Sequence, residues 1–158
     1  TLAVDLLSIP TTTTSLSPNS AFQARVGTAN ATGTGIESEY AIRTGGTPVT
    51  VTLSHSNATV GQLVTSAGAA QTAVLTIPVG ATRTPFGVPA GGVEFDPLSS
   101  GSTTISVTAP GAVSAVRYPA AGASISKTLL VVSATATTSP LVTQAPDGCD
   151  FDFLVPRA

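Results

Sequence analysis

"TPVTVTLSHSNATVGQLVT", residues 47–65, decides the fold class. Val49, Val51 and Leu53 fall on one side of an extended chain, and Thr50, Thr52 and Ser54 on the other. Apolar residues at a period of two mark a strand with one buried face. His55 ends this strand and enters a turn, and a second strand runs to Thr65. The same alternation recurs elsewhere. Ala73, Leu75, Ile77 and Val79 alternate with Val74, Thr76 and Pro78. Ile105, Val107 and Ala109 alternate with Thr104, Ser106 and Thr108, and Phe22, Ala24 and Val26 with Gln23 and Arg25. Leu129-Leu130-Val131-Val132 is apolar in both phases and reads as an enclosed strand.

Turn-forming residues punctuate these runs at Ser17-Pro18-Asn19, Thr44-Gly45-Gly46, Ala90-Gly91-Gly92, Ala109-Pro110-Gly111 and Pro146-Asp147-Gly148. The pattern predicts strands near 2–8, 11–16, 21–28, 48–55, 60–65, 71–79, 83–88, 102–109, 113–118, 125–134 and 149–155. Residues 29–47 form a long Gly/Thr-rich connection with room for one short strand at Glu39–Arg43. No segment carries a capped 3.6-residue period. Many short strands at this spacing predict an all-β sandwich.

The totals agree. The chain has 158 residues, of which 42% are hydrophobic and 9% charged, with net charge −2. That apolar share is too high for a disordered chain, and a nucleic-acid binder would show a basic excess. Ser and Thr make up roughly a quarter of the residues, and long helix formers are scarce. The single Cys149 excludes an internal disulfide framework and any multi-cysteine zinc site. No stretch of apolar residues is long enough for a membrane helix. The sequence starts at Thr1 without Met or a signal peptide, which suggests a mature form or an excised fragment. Asn30-Ala31-Thr32 and Asn57-Ala58-Thr59 fit the glycosylation sequon, a triplet that arises readily by chance in a Thr-rich chain.

Three stretches carry a resemblance: "TPVTVTLSHSNATVGQLVT", "TAVLTIPVGATRTPFGV" from Thr72, and "FDPLSSGSTTISVTAPG" from Phe95. Together they resemble the bacterial immunoglobulin-like (Big-type) repeats of large surface proteins, over about two thirds of the chain. The chain is longer than one such repeat and has extra segments at both ends. The resemblance implies an immunoglobulin-like antiparallel β-sandwich with additional terminal strands. It also implies a spacer, an adhesin stalk or a binding module, and no reaction. The expected organisation is a sandwich over residues 1–140 and a strand-forming tail over 141–158.

The chemistry-bearing residues are sparse. His55 is the one histidine, flanked by Ser54 and Ser56, with no Gly-x-Ser-x-Gly elbow; an exposed turn histidine is expected. Gly33-Thr34-Gly35 lacks the third glycine and the helix of a dinucleotide loop. Glu94 and Asp96 alternate on one strand face beside Val93 and Phe95, which suits surface duty better than a glycosidase pair. Glu37 with Glu39, and Asp147, Asp150 and Asp152, form small acidic groups; the last three are weak calcium candidates without EF-hand spacing. The basic residues Arg25, Arg43, Arg83, Arg117, Lys127 and Arg157 read as scattered, which argues against nucleic acid and anionic membranes. The aromatics are few and mostly in core phase, so no sugar-binding row is evident. No enzyme and no cofactor are expected.

The two ends stand out. In "CDFDFLVP", residues 149–156, Cys149, Phe151, Phe153 and Val155 share one face, and Asp150, Asp152 and Leu154 the other. "VDLLSIP", residues 4–10, echoes it weakly. Leu154-Val155-Pro156-Arg157 also matches a thrombin-type recognition sequence used in cloning linkers. Such apolar faces need cover, either in the chain's own sandwich or on the open edge of a neighbour by β-augmentation. Leu2, Val4 and Leu6, with the tail set, are therefore the expected self-association residues. The expected role is a structural block of an extracellular or cell-surface assembly: a stalk, surface layer or filament subunit. Its partners would be like subunits or adjacent modules of the same protein. The alternative is an adhesin, a carbohydrate-binding domain or a virion decoration domain.

Overall fold

A computed structural model describes residues 2–32, 34–109 and 124–133. Eleven strands are found among them: β1 (Leu2–Leu7), β2 (Thr12–Thr14), β3 (Ser20–Ala29), β4 (Ile36–Glu39), β5 (Val49–His55), β6 (Gly61–Thr65), β7 (Gly68–Ala70), β8 (Thr72–Ile77), β9 (Val93–Pro97), β10 (Gly101–Thr108) and β11 (Ser124–Val132). Sheet one runs β1-β3-β9-β6-β7, with β4 also on β3; sheet two runs β2-β11-β10-β5-β8. The partition of β1, β3, β9 and β6 against β5, β10 and β11 is that of an immunoglobulin-type sandwich, ABED against CFG. β2, β4, β7 and β8 are additions to that frame. One pairing departs from the antiparallel expectation: β2 lies parallel to β11, so sheet two is mixed.

The inward phase of each alternating strand fills one core, in which Phe22, Leu53, Phe95, Ile105 and Leu129 are fully buried. Each such side chain contributes about 2 kcal/mol by leaving water. Val4 and Leu6 belong to this core, at 1% and 0% exposure. Val4 and Leu6 are thus covered by the chain's own sandwich, through the antiparallel register of β1 on β3.

Two glycines are needed for close approach. A Cβ on Gly61 would collide with the Phe95 ring, and one on Gly27 with the Ser38 carbonyl and the Ile36 side chain. Gly27 therefore lets β4 curl back over β3.

Several expectations shift. Residues 83–88 are not a strand: Arg83 makes one isolated bridge to Arg25, and a 3-10 turn follows at Val88–Ala90. Pro85 and Pro89 withhold the N–H groups a ladder needs. The short strand expected at Glu39–Arg43 lies earlier, at β4. β7 is a strand absent from the expected set, and β9 coincides with the strand face read at Glu94 and Asp96, which that set left out. Leu130 and Val132 are not enclosed but 43% and 40% exposed, because nothing among the described residues covers the outer face of sheet two. The strands expected at 113–118 and 149–155 lie outside the described residues.

Candidate functional site

The most organised polar feature begins with Asp5. Alternation turns Val4 and Leu6 inward and Asp5 outward, directly opposite Arg25 on β3. Asp5 Oδ2 accepts from Arg25 Nη2 at 2.7 Å and from Nε at 3.2 Å. Asp5 Oδ1 accepts from the Leu6 N–H at 2.7 Å and lies 3.4 Å from Lys127 Nζ. Arg25 Nη1 reaches Glu39 Oε1 at 3.2 Å. Glu39 in turn takes a two-pronged contact from Arg83, Nε at 2.8 Å and Nη2 at 2.9 Å. The result is an alternating row, Lys127–Asp5–Arg25–Glu39–Arg83, laid across β11, β1, β3, β4 and the segment after β8.

Burial grades this row. The Asp5 side chain is 2% exposed, while Arg83 and Lys127 at the two ends are 44% and 40% exposed. A carboxylate so deeply buried is tolerable only with charged and hydrogen-bonding partners. Gly35, on the connection leading into β4, lies beside the Asp5 carboxylate. The Arg83 guanidinium, foremost, with Arg25 also bonded to it, holds the Glu39 carboxyl at about 2, well below the usual carboxylate range. Both carboxylates are engaged by cations and donors, so the row can clamp strands but offers no free base.

Three of the six basic residues, Arg25, Arg83 and Lys127, thus converge where the sequence suggested scatter. Distance along the chain hid this: the row joins positions 5 to 127. The signal available was that Asp5, Arg25 and Lys127 are each the one charged residue of their strand.

His55 differs from the exposed turn residue expected. It is 4% exposed, with neither ring nitrogen hydrogen-bonded. Its inward phase on β5 sets it edge-on to Phe95, with ring centroids 6.3 Å apart. Desolvation pushes its pKa below the usual 6.5, partly opposed by the nearby backbone of Asn57 and Ala70. The adjacent Ser56 hydroxyl accepts from the Thr104 N–H at 2.9 Å instead of meeting the imidazole.

The other candidates have structural partners. Glu94 Oε1 accepts from the Val88 N–H at 3.1 Å, and Asp96 Oδ2 from Gln62 Nε2 at 2.8 Å. Asn57 Oδ1 accepts from the Thr59 N–H and hydroxyl at 3.2 and 2.7 Å. Asn30 Oδ1 likewise accepts from the Thr34 N–H and the Thr32 hydroxyl. Both sequon-like triplets are therefore turns closed by an Asn side chain. Among the described residues no three His, Cys, Asp or Glu side chains gather as a metal site would need. No helix there is long and apolar enough to cross a membrane. Asp147, Cys149, Asp150, Phe151, Asp152, Phe153 and Val155 lie outside the described residues. Comparison with known proteins finds no family model and no curated protein that matches the chain.

Proposed function

We propose that this chain is a non-enzymatic, load-bearing module of an extracellular or cell-surface assembly: a stalk, surface layer or filament subunit that associates with like modules. One observation carries this proposal. The first and last described strands are fastened to each other. β2 lies parallel to β11, and Lys127 of β11 donates to the Leu6 carbonyl and faces Asp5 of β1. Tension entering ahead of β1 and leaving after β11 would pull β2 and β11 lengthwise past each other. Their hydrogen bonds would then be loaded together rather than peeled one at a time. The Big-type resemblance, with its implied spacer role, points the same way.

Tandem copies stretched in a single-molecule instrument test this. High-force, all-or-none unfolding is expected, with the force reduced by Thr13→Pro in β2. Unfolding at low force, unaffected by that substitution, would remove the load-bearing role. The second reading, a binding module, draws on Tyr40 and Phe86, which are 58% and 55% exposed. A glycan or receptor interaction lost on replacing both by Ala would favour it.

A further inference from the structure

Sheet edges invite further strands, and sandwiches guard them with charge, brevity or cover. Here the edges are guarded unequally. In sheet one, β7 is three residues long, and β4 carries Glu37 and Glu39. The free side of β1 is occupied by Lys127. Ala24 turns its own backbone groups toward Thr84, so the opposing Leu6 carbonyl points outward, and Lys127 Nζ donates to it. In sheet two, β2 is also three residues long.

β8 has none of these guards. "TAVLTI" is six residues without charge, Gly or Pro. The His55 N–H donates to the Gln71 carbonyl, which makes 55/71 a hydrogen-bonded pair. With the register Leu53↔Ala73, Val51↔Leu75 and Val49↔Ile77, alternation then turns the N–H and C=O groups of Thr72, Val74 and Thr76 to the open side. No partner for them occurs among the described residues. The core also thins here: Ala73 at 6% and Leu75 at 8% are the most exposed members of the core cluster.

We propose that the open side of β8 takes a strand, and that this strand is Cys149–Val155 of this chain. The sequence pattern of that segment complements the edge. With Cys149, Phe151, Phe153 and Val155 in the inward phase, the phenylalanines extend the core past the small Ala73 and over Leu75. Asp150 and Asp152 then fall on the outer face, supplying the charge that the edge of sheet two lacks. Reach permits it within one chain or between two. Residues 133–148 can span on the order of 50 Å extended, against about 19 Å for the four strand spacings from β11 to a strand on the open side of β8. The inference stands whichever copy supplies the strand.

Hydrogen exchange on the full chain tests it, beside a full chain carrying Phe151→Asp and Phe153→Asp. The amides of Thr72, Val74 and Thr76 should exchange at least tenfold more slowly in the unaltered chain, with β5 and β10 alike in both. Equal exchange at those three amides overturns the proposal. If the double variant unfolds, a nitroxide on the outer face of the tail, at Asp150→Cys in a Cys149→Ser chain, decides. Broadened signals across Thr72–Ile77 support the pairing, and broadening confined elsewhere overturns it. Light scattering on the same samples separates this from the function proposed above. Protected β8 amides at monomer mass leave the pairing intact and count against association through it. Association with unprotected β8 amides does the reverse.

Discussion

The two sheets of this sandwich solve the same problem with different chemistry. Sheet one and its connections carry Asp5, Arg25, Glu39, Arg83, Glu94 and Asp96, and their outward groups are tied into ion pairs and hydrogen bonds. Sheet two holds one charged residue, Lys127, whose amine leaves its own sheet to reach β1. The outer face of sheet two is hydroxyl and apolar: Thr50, Thr72, Thr76 and Thr104, with Val74, Leu130 and Val132. The difference teaches where specificity resides. Sheet one fixes the positions of β1 and β4 by directional, partly buried charge. Sheet two relies on register and packing, and leaves one long edge bare.

Breaking the charged row at its most buried member should have the largest effect. Arg25→Leu leaves Asp5 buried beside the half-exposed Lys127 alone and should cost about 3–5 kcal/mol in chemical denaturation. Gly27→Ala drives a methyl into the β4 backbone and should cost about 1–3 kcal/mol, with β4 amides exchanging faster than those of β10. Lys127→Ala removes a partly exposed partner and should cost about 1 kcal/mol. On sheet two, Thr50→Lys or Thr104→Lys should stay within about 0.5 kcal/mol. A large loss there would mean that this face is covered in the protein as studied.

Acid should separate two titrations. The unfolded chain protonates His55 near 6.5, while the buried imidazole resists, so stability falls as pH drops below 6.5. His55→Leu should flatten stability between 6.5 and 4.5. Glu39, held at about 2 against an ordinary 4.5, contributes stability above 4.5 that is lost as pH falls toward 2. Glu39→Gln should remove that second loss. A His55→Leu chain that keeps the upper slope would assign it to another group.

Much of the frame was legible residue by residue. β3, β5, β8 and β10 fall within a few residues of the strands predicted from period-2 alternation, and β6 and β11 near strands expected at 60–65 and 125–134. That is because burying one face of a strand imposes its rhythm directly on the sequence. Short strands such as β7 escaped, since "GAA" carries no alternation to see. The expected strand at 83–88 failed because its apolar content outweighed the one local signal against a ladder, Pro85. Leu130 and Val132 misled for a related reason. An apolar residue in the outer phase looks buried unless the layers on that side are known.

The charged row was invisible for a different reason. Asp5, Arg25, Glu39, Arg83 and Lys127 are far apart in sequence, and each looks like an isolated surface charge. Only the antiparallel register of β1 on β3, and the passage of β11 beside β1, bring them within bonding distance. His55 follows the same logic. Its phase with Val49, Val51 and Leu53 marked it for the interior, yet its place at the strand's end suggested a turn. The sequence by itself determined that this is an all-β sandwich and most of the inward phase of its alternating strands, because alternation is a local property of the chain. The tertiary structure alone decided which charges meet, which edge stays bare and how a histidine comes to rest unpaired beside Phe95. Those depend on strand order and register, which no local pattern encodes.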